Sequence, residues 1–280
     1  LLVNKEKYGR RLFEMKKKIR IGALISGGGT NLQAIIDSCE SEKIDGRMVF
    51  VGSDNPQAQG LERADRHGIP TFVVNYKEII KGVKSSPENV KLPDDLNLED
   101  LLSKQSFFPF DIVSEKLNTF ITTRTIAEAR LFEEMCAYQF DLLILAGFMR
   151  NLTPYFIDKI NTDPGQPRIM NIHPALLPAF PGVDGYGDTY RYGCKVGGCT
   201  VHFIDYGEDS GPIIGQKAFQ IKEDDTIDSI KKKGLVLEWE LYPECIQLFA
   251  QDRLRTVKVS HKLINGKQVE RTVVKILPQA

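Results

Sequence analysis

An apolar run of seven residues, Ile19–Ile25, ends in Ser26-Gly27-Gly28-Gly29 and passes directly into a segment, 31–39, with Leu32, Ile35 and Ile36 at helical spacing. A strand that turns on glycines straight into a helix begins a crossover unit, and crossovers of that kind join parallel strands. The alternation then repeats. Residues 48–52, 71–75, 141–145 and 168–172 read as strands, and residues 61–67 and 126–138 as helices. The second helix carries Ile126, Ala129, Phe132 and Cys136 on one face, and Thr153-Pro154 supplies an N-cap and an N1 proline for another. The pattern predicts a doubly wound, Rossmann-like α/β fold with a mostly parallel sheet covered on both faces.

The pattern changes after Gly198. Two strands are expected at 199–205 and 213–221, then a helix over 226–249 interrupted or bent near Pro243. Asn265-Gly266 between β-rich runs predicts a hairpin with a two-residue turn. Residues 77–117 mix Lys and Asp with Pro87, Pro93 and Pro109 and only short apolar patches, which reads as a surface insertion with a helix near 96–103. The chain thus divides into an N-terminal extension (1–17), a main α/β unit (18–255, with the 77–117 insertion) and a C-terminal β-hairpin tail (256–280).

Composition narrows the function classes. Hydrophobic residues form 42% of the 280 and charged residues 26%, so a sizeable core is expected. Lys+Arg and Asp+Glu both number 37, which leaves no global field to recruit nucleic acid or an anionic membrane. A local basic lead, eight Lys/Arg against two acids over residues 5–20, reads as a solvated extension. The longest apolar run, 142–149, is too short to span a membrane. The chain opens at Leu1 with no signal-peptide pattern, so its natural start is expected upstream or trimmed. Five scattered cysteines argue against a disulfide framework and for a reduced, cytoplasmic compartment. Cys194 and Cys199 lack the partners of a zinc site, and no metal is expected.

Three segments carry chemistry. Gly27-Gly28-Gly29-Thr30-Asn31 opens a helix and can cradle an anion on backbone N–H groups, yet it lacks the third glycine of a dinucleotide fingerprint and the Gly-Lys-Ser/Thr of a Walker loop. A monophosphate-sized nest remains, or simply a tight turn. Asn171-Ile172-His173-Pro174 leaves the C-terminal end of a strand, with Asn171 and His173 on one side about 6.6 Å apart. An amide donor beside an imidazole suits acyl transfer. The third segment, 205–212, offers Asp205, Glu208 and Asp209 as carboxylates to pair with that imidazole. His202 is expected to be a structural strand histidine, and His67 and His261 surface residues. No Gly-x-Ser-x-Gly elbow is present.

Together, ISGGGTNLQAIID (25–37), LAGFMRNLTP (145–154), NIHPALLPAFPG (171–182), GCTVHFIDYGEDSGPII (198–214) and ELYP (240–243) resemble the glycinamide ribonucleotide formyltransferase family. The resemblance implies formyl transfer from 10-formyltetrahydrofolate, as co-substrate, to the amine of glycinamide ribonucleotide in purine biosynthesis. It implies Asn171, His173 and Asp209 as the catalytic trio, and Gly29, Thr30 and Asn31 on the substrate phosphate. Glu238 would contact the ribose, and Arg124, Met149, Arg150, Asn151, Leu152 and Asn171 the folate. Small-molecule substrates, no nucleic acid or membrane partner, and a monomer or homodimer follow. Residues 183–189 depart from the His-rich segment usual in the family, and the 77–117 insertion has no usual counterpart. Two other readings stay open: a hydrolase releasing formate from the same folate, and a non-catalytic folate- or nucleotide-binding module.

Overall fold

The computed structural model describes residues 18–86, 91–106 and 115–279. The expected extension 1–17, Pro87 and Pro109 lie outside these. Seven strands form one sheet: β1 (Ile19–Ile25), β2 (Gly46–Ser53), β3 (Thr71–Val73), β4 (Leu142–Leu145), β5 (Ile169–His173), β6 (Val196–Phe203) and β7 (Ile213–Gln220). Their order is β3-β2-β1-β4-β5-β6-β7. The first five run parallel, and β6 is antiparallel to both β5 and β7.

Helices cover both faces. One face packs against α1 (Thr30–Glu40), α2 (Gln59–Arg66) and α8 (Ile227–Ala250), through Leu32, Ile35, Ala64, Leu241 and Ile246. The other packs against α3 (Tyr76–Ser85), α5 (Glu115–Cys136) and α6 (Pro154–Ile160), through Tyr76, Ile79, Leu131, Met135 and Phe156. Alternation along the strands divides the two cores, with Met170 and Ile172 of β5 in one and Ile169 in the other. The fold class expected from the sequence holds.

Several details differ. Residues 77–85, expected within a surface insertion, form most of α3, and Ile79 is buried against the sheet layer. Asn75 caps this helix, its side chain accepting from the Glu78 N–H. The helix expected near 96–103 is α4 (Leu98–Lys104), whose Leu101 joins Leu117 and Ile121 in a small satellite cluster. The start of α5 lies upstream of residue 126. Its Thr123 and Thr125 hydroxyls donate to carbonyls one turn back, so polar residues that blur the apolar periodicity are satisfied within the helix. Pro243 does not interrupt α8. It is buried there beside Tyr242, whose hydroxyl donates to the carbonyls of Met170 (2.7 Å) and Leu145 (3.2 Å), so packing and these bonds hold the helix through the proline. The tail hairpin, β8 (Leu254–Lys262) with β9 (Gln268–Ile276), turns on more than two residues. Gly266 N–H donates to the Leu263 carbonyl, and Gly266 (φ 81°) occupies the left-handed region, a three-residue loop ending in a glycine bulge.

A tight contact at the centre of the sheet generates a test. A Cβ placed on Gly22 of β1 would lie 2.1 Å from the fully buried ring of Phe50 on β2. Gly22→Ala should therefore cost about 1–3 kcal/mol of unfolding free energy. Combining it with Phe50→Leu should cost less than the sum of the two single changes in chemical denaturation, because the smaller side chain relieves the overlap. Additive costs would show that the ring does not set the limit at Gly22.

Candidate active site

The strand order reverses between β1 and β4, and the loops leaving their C-terminal ends diverge there. Ser26 ties the two loops together: its N–H donates to the Gly147 carbonyl (3.1 Å) and its hydroxyl accepts from the Met149 N–H (2.8 Å). The resulting cleft, about 250 Å³, is lined by Asn31, Met149, Arg150, Asn151, Leu152, Asn171, His173, Asp209 and Glu238 among others. Nine of the twelve residues singled out in the sequence thus meet in one cavity.

At its centre β5 presents Asn171 and His173 on one face, as alternation requires. His173 is 3% exposed, and its Nδ1 lies 3.1 Å from Asp209 Oδ2. Its Nε2 donates to the Phe180 carbonyl at 2.8 Å. With an acceptor at each nitrogen, the ring is held best as imidazolium. Burial opposes that charge, but the bond to Asp209 and its negative charge outweigh it, and the His173 pKa is raised. Burial likewise pushes Asp209 up, while His173 and the Gly182 N–H (2.8 Å to Oδ2) pull it below the usual carboxylate range. Asp205 and Glu208 also line the cleft but have other partners. Asp205 accepts from Gly207 N–H and Ser210 within its own turn, and Glu208 accepts from Asn151 (3.3 Å). Both Asp209 (φ 49°) and Phe180 (φ 55°) occupy the left-handed region, which costs backbone energy in non-glycine residues and tends to persist at functional sites.

His202 is more than a satisfied strand histidine. It pairs with Asn171 across β5 and β6, and its ring sits between Asn171 (Nδ2 to Nε2, 3.2 Å) and Asp209 (3.6 Å). Nδ1 donates to the Phe203 carbonyl, so Nε2 is left to accept from Asn171. Burial lowers its pKa and keeps the ring neutral in that role. The sequence held no signal for this, since it needs the register of β5 on β6. His67 is half-buried rather than a free surface residue, set between Glu40 and Gln33. His261 is exposed.

The glycine turn sits at one end of the cleft. Gly29 (φ 70°) precedes α1, and a Cβ there would lie 2.7 Å from Gly60 Cα. Gln33 N–H to the Gly29 carbonyl is the first bond of the helix, so the N–H groups of Thr30, Asn31 and Leu32 precede the ladder. No side chain caps them. Arg63 lies across the turn, its Nε donating to the Gly28 carbonyl (2.8 Å), a cation the sequence did not single out. The Asn31 side chain is turned towards Glu238: one amide hydrogen donates to it (2.7 Å), and Oδ1 is buried without a partner among the described residues. A second amide hydrogen remains on that side chain, beside the backbone N–H groups, for an anion at this end.

At the other end, Leu145, Phe148, Leu152 and Ile204 give an apolar wall with the 149–152 backbone beside it. Arg150 donates from Nε to Asp54 (2.5 Å). Arg124 lies behind this wall and outside the cleft lining, stacked on Tyr76 and Phe120, with Nε and Nη1 buried and without a partner among the described residues. Glu128, one turn further along α5, is fully buried and accepts from both the N–H and the hydroxyl of Thr153. The Thr153 hydroxyl expected to cap α6 is therefore engaged with Glu128. Burial drives the Glu128 carboxyl up to about 8 even against those bonds.

The formyl transferase family matches residues 19–246, and the chain belongs to that family. It is 32% identical to the phosphoribosylglycinamide formyltransferase of Bacillus subtilis over 81% of this chain and 93% of that one. Identity to the enzyme of the same name from Escherichia coli is also 32%, over 85% and 90%. The trifunctional purine biosynthetic protein adenosine-3 of Chironomus tentans is 32% identical, but this chain spans 14% of its length. Among solved structures, glycinamide ribonucleotide transformylase 1 of Symbiobacterium toebii superposes with a TM-score of 0.66 at 35% identity, covering 97% of this chain and all of that one.

Two outcomes follow from the electrostatics. Asp209→Asn removes the charge that raises the His173 pKa, so kcat should fall about 100- to 1000-fold and the alkaline limb of the pH–rate profile should move to lower pH. An unmoved limb would assign it to another group. Glu128 has a folded-state pKa above its unfolded value of 4.5, so the stability it contributes is present below pH 4.5 and lost as pH rises towards 8. Thermal melts between pH 5 and 9 should show a shallower alkaline decline for Glu128→Gln than for the wild type, and parallel curves would refute the assignment.

Proposed function

We propose that this chain transfers the formyl group of 10-formyltetrahydrofolate to the amine of glycinamide ribonucleotide. The observation that carries the reading is one cleft containing both an uncapped helix N-terminus for a phosphate and a buried His–Asp pair beside an amide donor. A folate hydrolase needs only the second. Residues 18–255 would be the catalytic unit and 256–280 an accessory hairpin. Membership of a family with soluble small-molecule substrates supports a cytoplasmic setting. The family's donor fits the apolar end, where a flat pterin would lie against Leu145, Phe148 and Ile204 and bond to the 149–152 backbone. The ribonucleotide phosphate would sit on the N–H groups of Thr30 and its neighbours, with Arg63 close by. Arg124 acts in this reading from behind the folate wall, through Tyr76, rather than at its mouth.

The chemistry follows from the donors present. The neutral amine attacks the formyl carbon, the carbonyl π pair moves onto oxygen, and a tetrahedral oxyanion forms. Asn171 uses one amide hydrogen on His202 and has a second for that oxyanion. The His173 imidazolium supplies positive charge beside it, and donates to it directly when Nε2 exchanges the Phe180 carbonyl for the oxyanion. Collapse breaks the bond from the formyl carbon to the folate nitrogen. The proton lost by the attacking amine is carried to that nitrogen through His173 or a water on Asp209. Asp209 keeps the imidazole charged and oriented throughout.

The test is incubation with formylfolate, with and without glycinamide ribonucleotide, following tetrahydrofolate and formate. Tetrahydrofolate should form only when the ribonucleotide is present, with no free formate. Formate release without acceptor would make the chain a hydrolase, and no turnover under either condition would make it a binding module.

A further inference from the structure

Residues 183–189, which lack the His-rich segment that the resemblance leads one to expect, contain a buried tyrosine hydroxyl near the cleft. Tyr186 lies at the start of α7 (Gly185–Arg191) and is 5% exposed. Its hydroxyl donates to Glu238 Oε1 at 2.6 Å. Glu238, also 5% exposed, accepts from the Asn31 amide on its other oxygen at 2.7 Å. The carboxylate is therefore gripped on both oxygens, by α7 on one side and by α1 on the other.

The ring has a seat of its own. Gly234 lies one helical turn before Glu238 on α8, and a Cβ there would come within 2.1 Å of the Tyr186 ring. Phe219 of β7 borders the same ring at 6.3 Å between centroids. Helical spacing thus puts the gap for the ring and the carboxylate for its hydroxyl on one face of α8. Desolvation and the neighbouring negative charge hold the phenol far above its usual pKa, so it stays a donor.

Glu238 lines the cavity as a carboxylate that receives one bond on each oxygen, from Tyr186 and from Asn31, and keeps acceptor capacity beyond them. A carboxylate only accepts, so it binds a ligand group that donates and repels a phosphate. We propose that Tyr186 is a positioning residue for the acceptor substrate: by fixing the Glu238 carboxylate it aligns Glu238 as the acceptor for the ribose hydroxyls. The inference rests on the ribonucleotide reading of the cleft and adds to it which side chain sets the sugar specificity.

Tyr186→Phe keeps the ring on Gly234 and removes only the hydroxyl. The KM for glycinamide ribonucleotide should rise about tenfold, the loss expected for one hydrogen bond to a charged group, with the folate KM within twofold of wild type. The wild type should use an analogue lacking the ribose hydroxyls much more poorly than the natural substrate, and Tyr186→Phe should shrink that ratio. Gly234→Ala, which keeps the hydroxyl but displaces the ring, should raise the ribonucleotide KM in the same direction. An unchanged ribonucleotide KM in Tyr186→Phe, or full retention of the hydroxyl discrimination, overturns the inference. A wild-type chain that transfers nothing to the ribonucleotide overturns the reading beneath it, and the inference with it.

Discussion

The reversal of strand order between β1 and β4 is the constraint from which the rest of the molecule follows. Helices leave the two strands towards opposite faces, so the loops after Ile25 and Leu145 part and leave a gap at the C-terminal edge of the sheet. Ser26 bridges the gap at its floor with two hydrogen bonds, to Gly147 and Met149. Neighbouring β5 then delivers Asn171 and His173 into the gap. A site built on strand ends in this way inherits the rigidity of a sheet buried on both faces.

The cleft is also partitioned by hydrogen-bonding character. The start of α1 offers N–H groups and the nearby Arg63 cation, Glu238 offers a carboxylate acceptor, and the centre holds a buried ion pair. The far end is apolar backbone and side chain. Each region favours a different part of a bound pair of substrates, so orientation is settled by polarity before any chemistry begins. The centre also carries the backbone strain, since Asp209 and Phe180, both in the left-handed region, supply the two acceptors that hold the His173 ring.

A second polar cluster lies behind the apolar wall of the cleft. Asp54, Tyr76, Arg124, Glu128 and Arg150 converge there, with Asp54 Oδ1, the Tyr76 hydroxyl and two Arg124 nitrogens buried and without a partner among the described residues. Glu128 anchors Thr153, the residue that follows the 149–152 segment, and so supports that backbone from below. The segment is held by side chains distant in sequence, which is why its local sequence alone does not reveal its support.

Periodicity placed the parallel sheet, both helical layers and the strand that bears Asn171 and His173, because alternation and the 3.6-residue repeat are local properties of the chain. Spacing also put the two on one side of β5, and the motifs led to Asp209. The sequence did not reveal α3 as part of the core, since its apolar face is two buried side chains, Tyr76 and Ile79, amid lysines. Nor did it show His202 beside Asn171, Tyr186 on Glu238, Glu128 on Thr153, or Arg124 behind the wall. Those pairs are 31, 52, 25 or more residues apart, or depend on which face of a helix is turned inward. Register and packing decide such contacts, and both are properties of the assembled layers. The chain by itself determined which chemical groups were available and at which end of the sheet; the tertiary structure decided which of them touch, and so which carry charge, which donate and which are left facing a substrate.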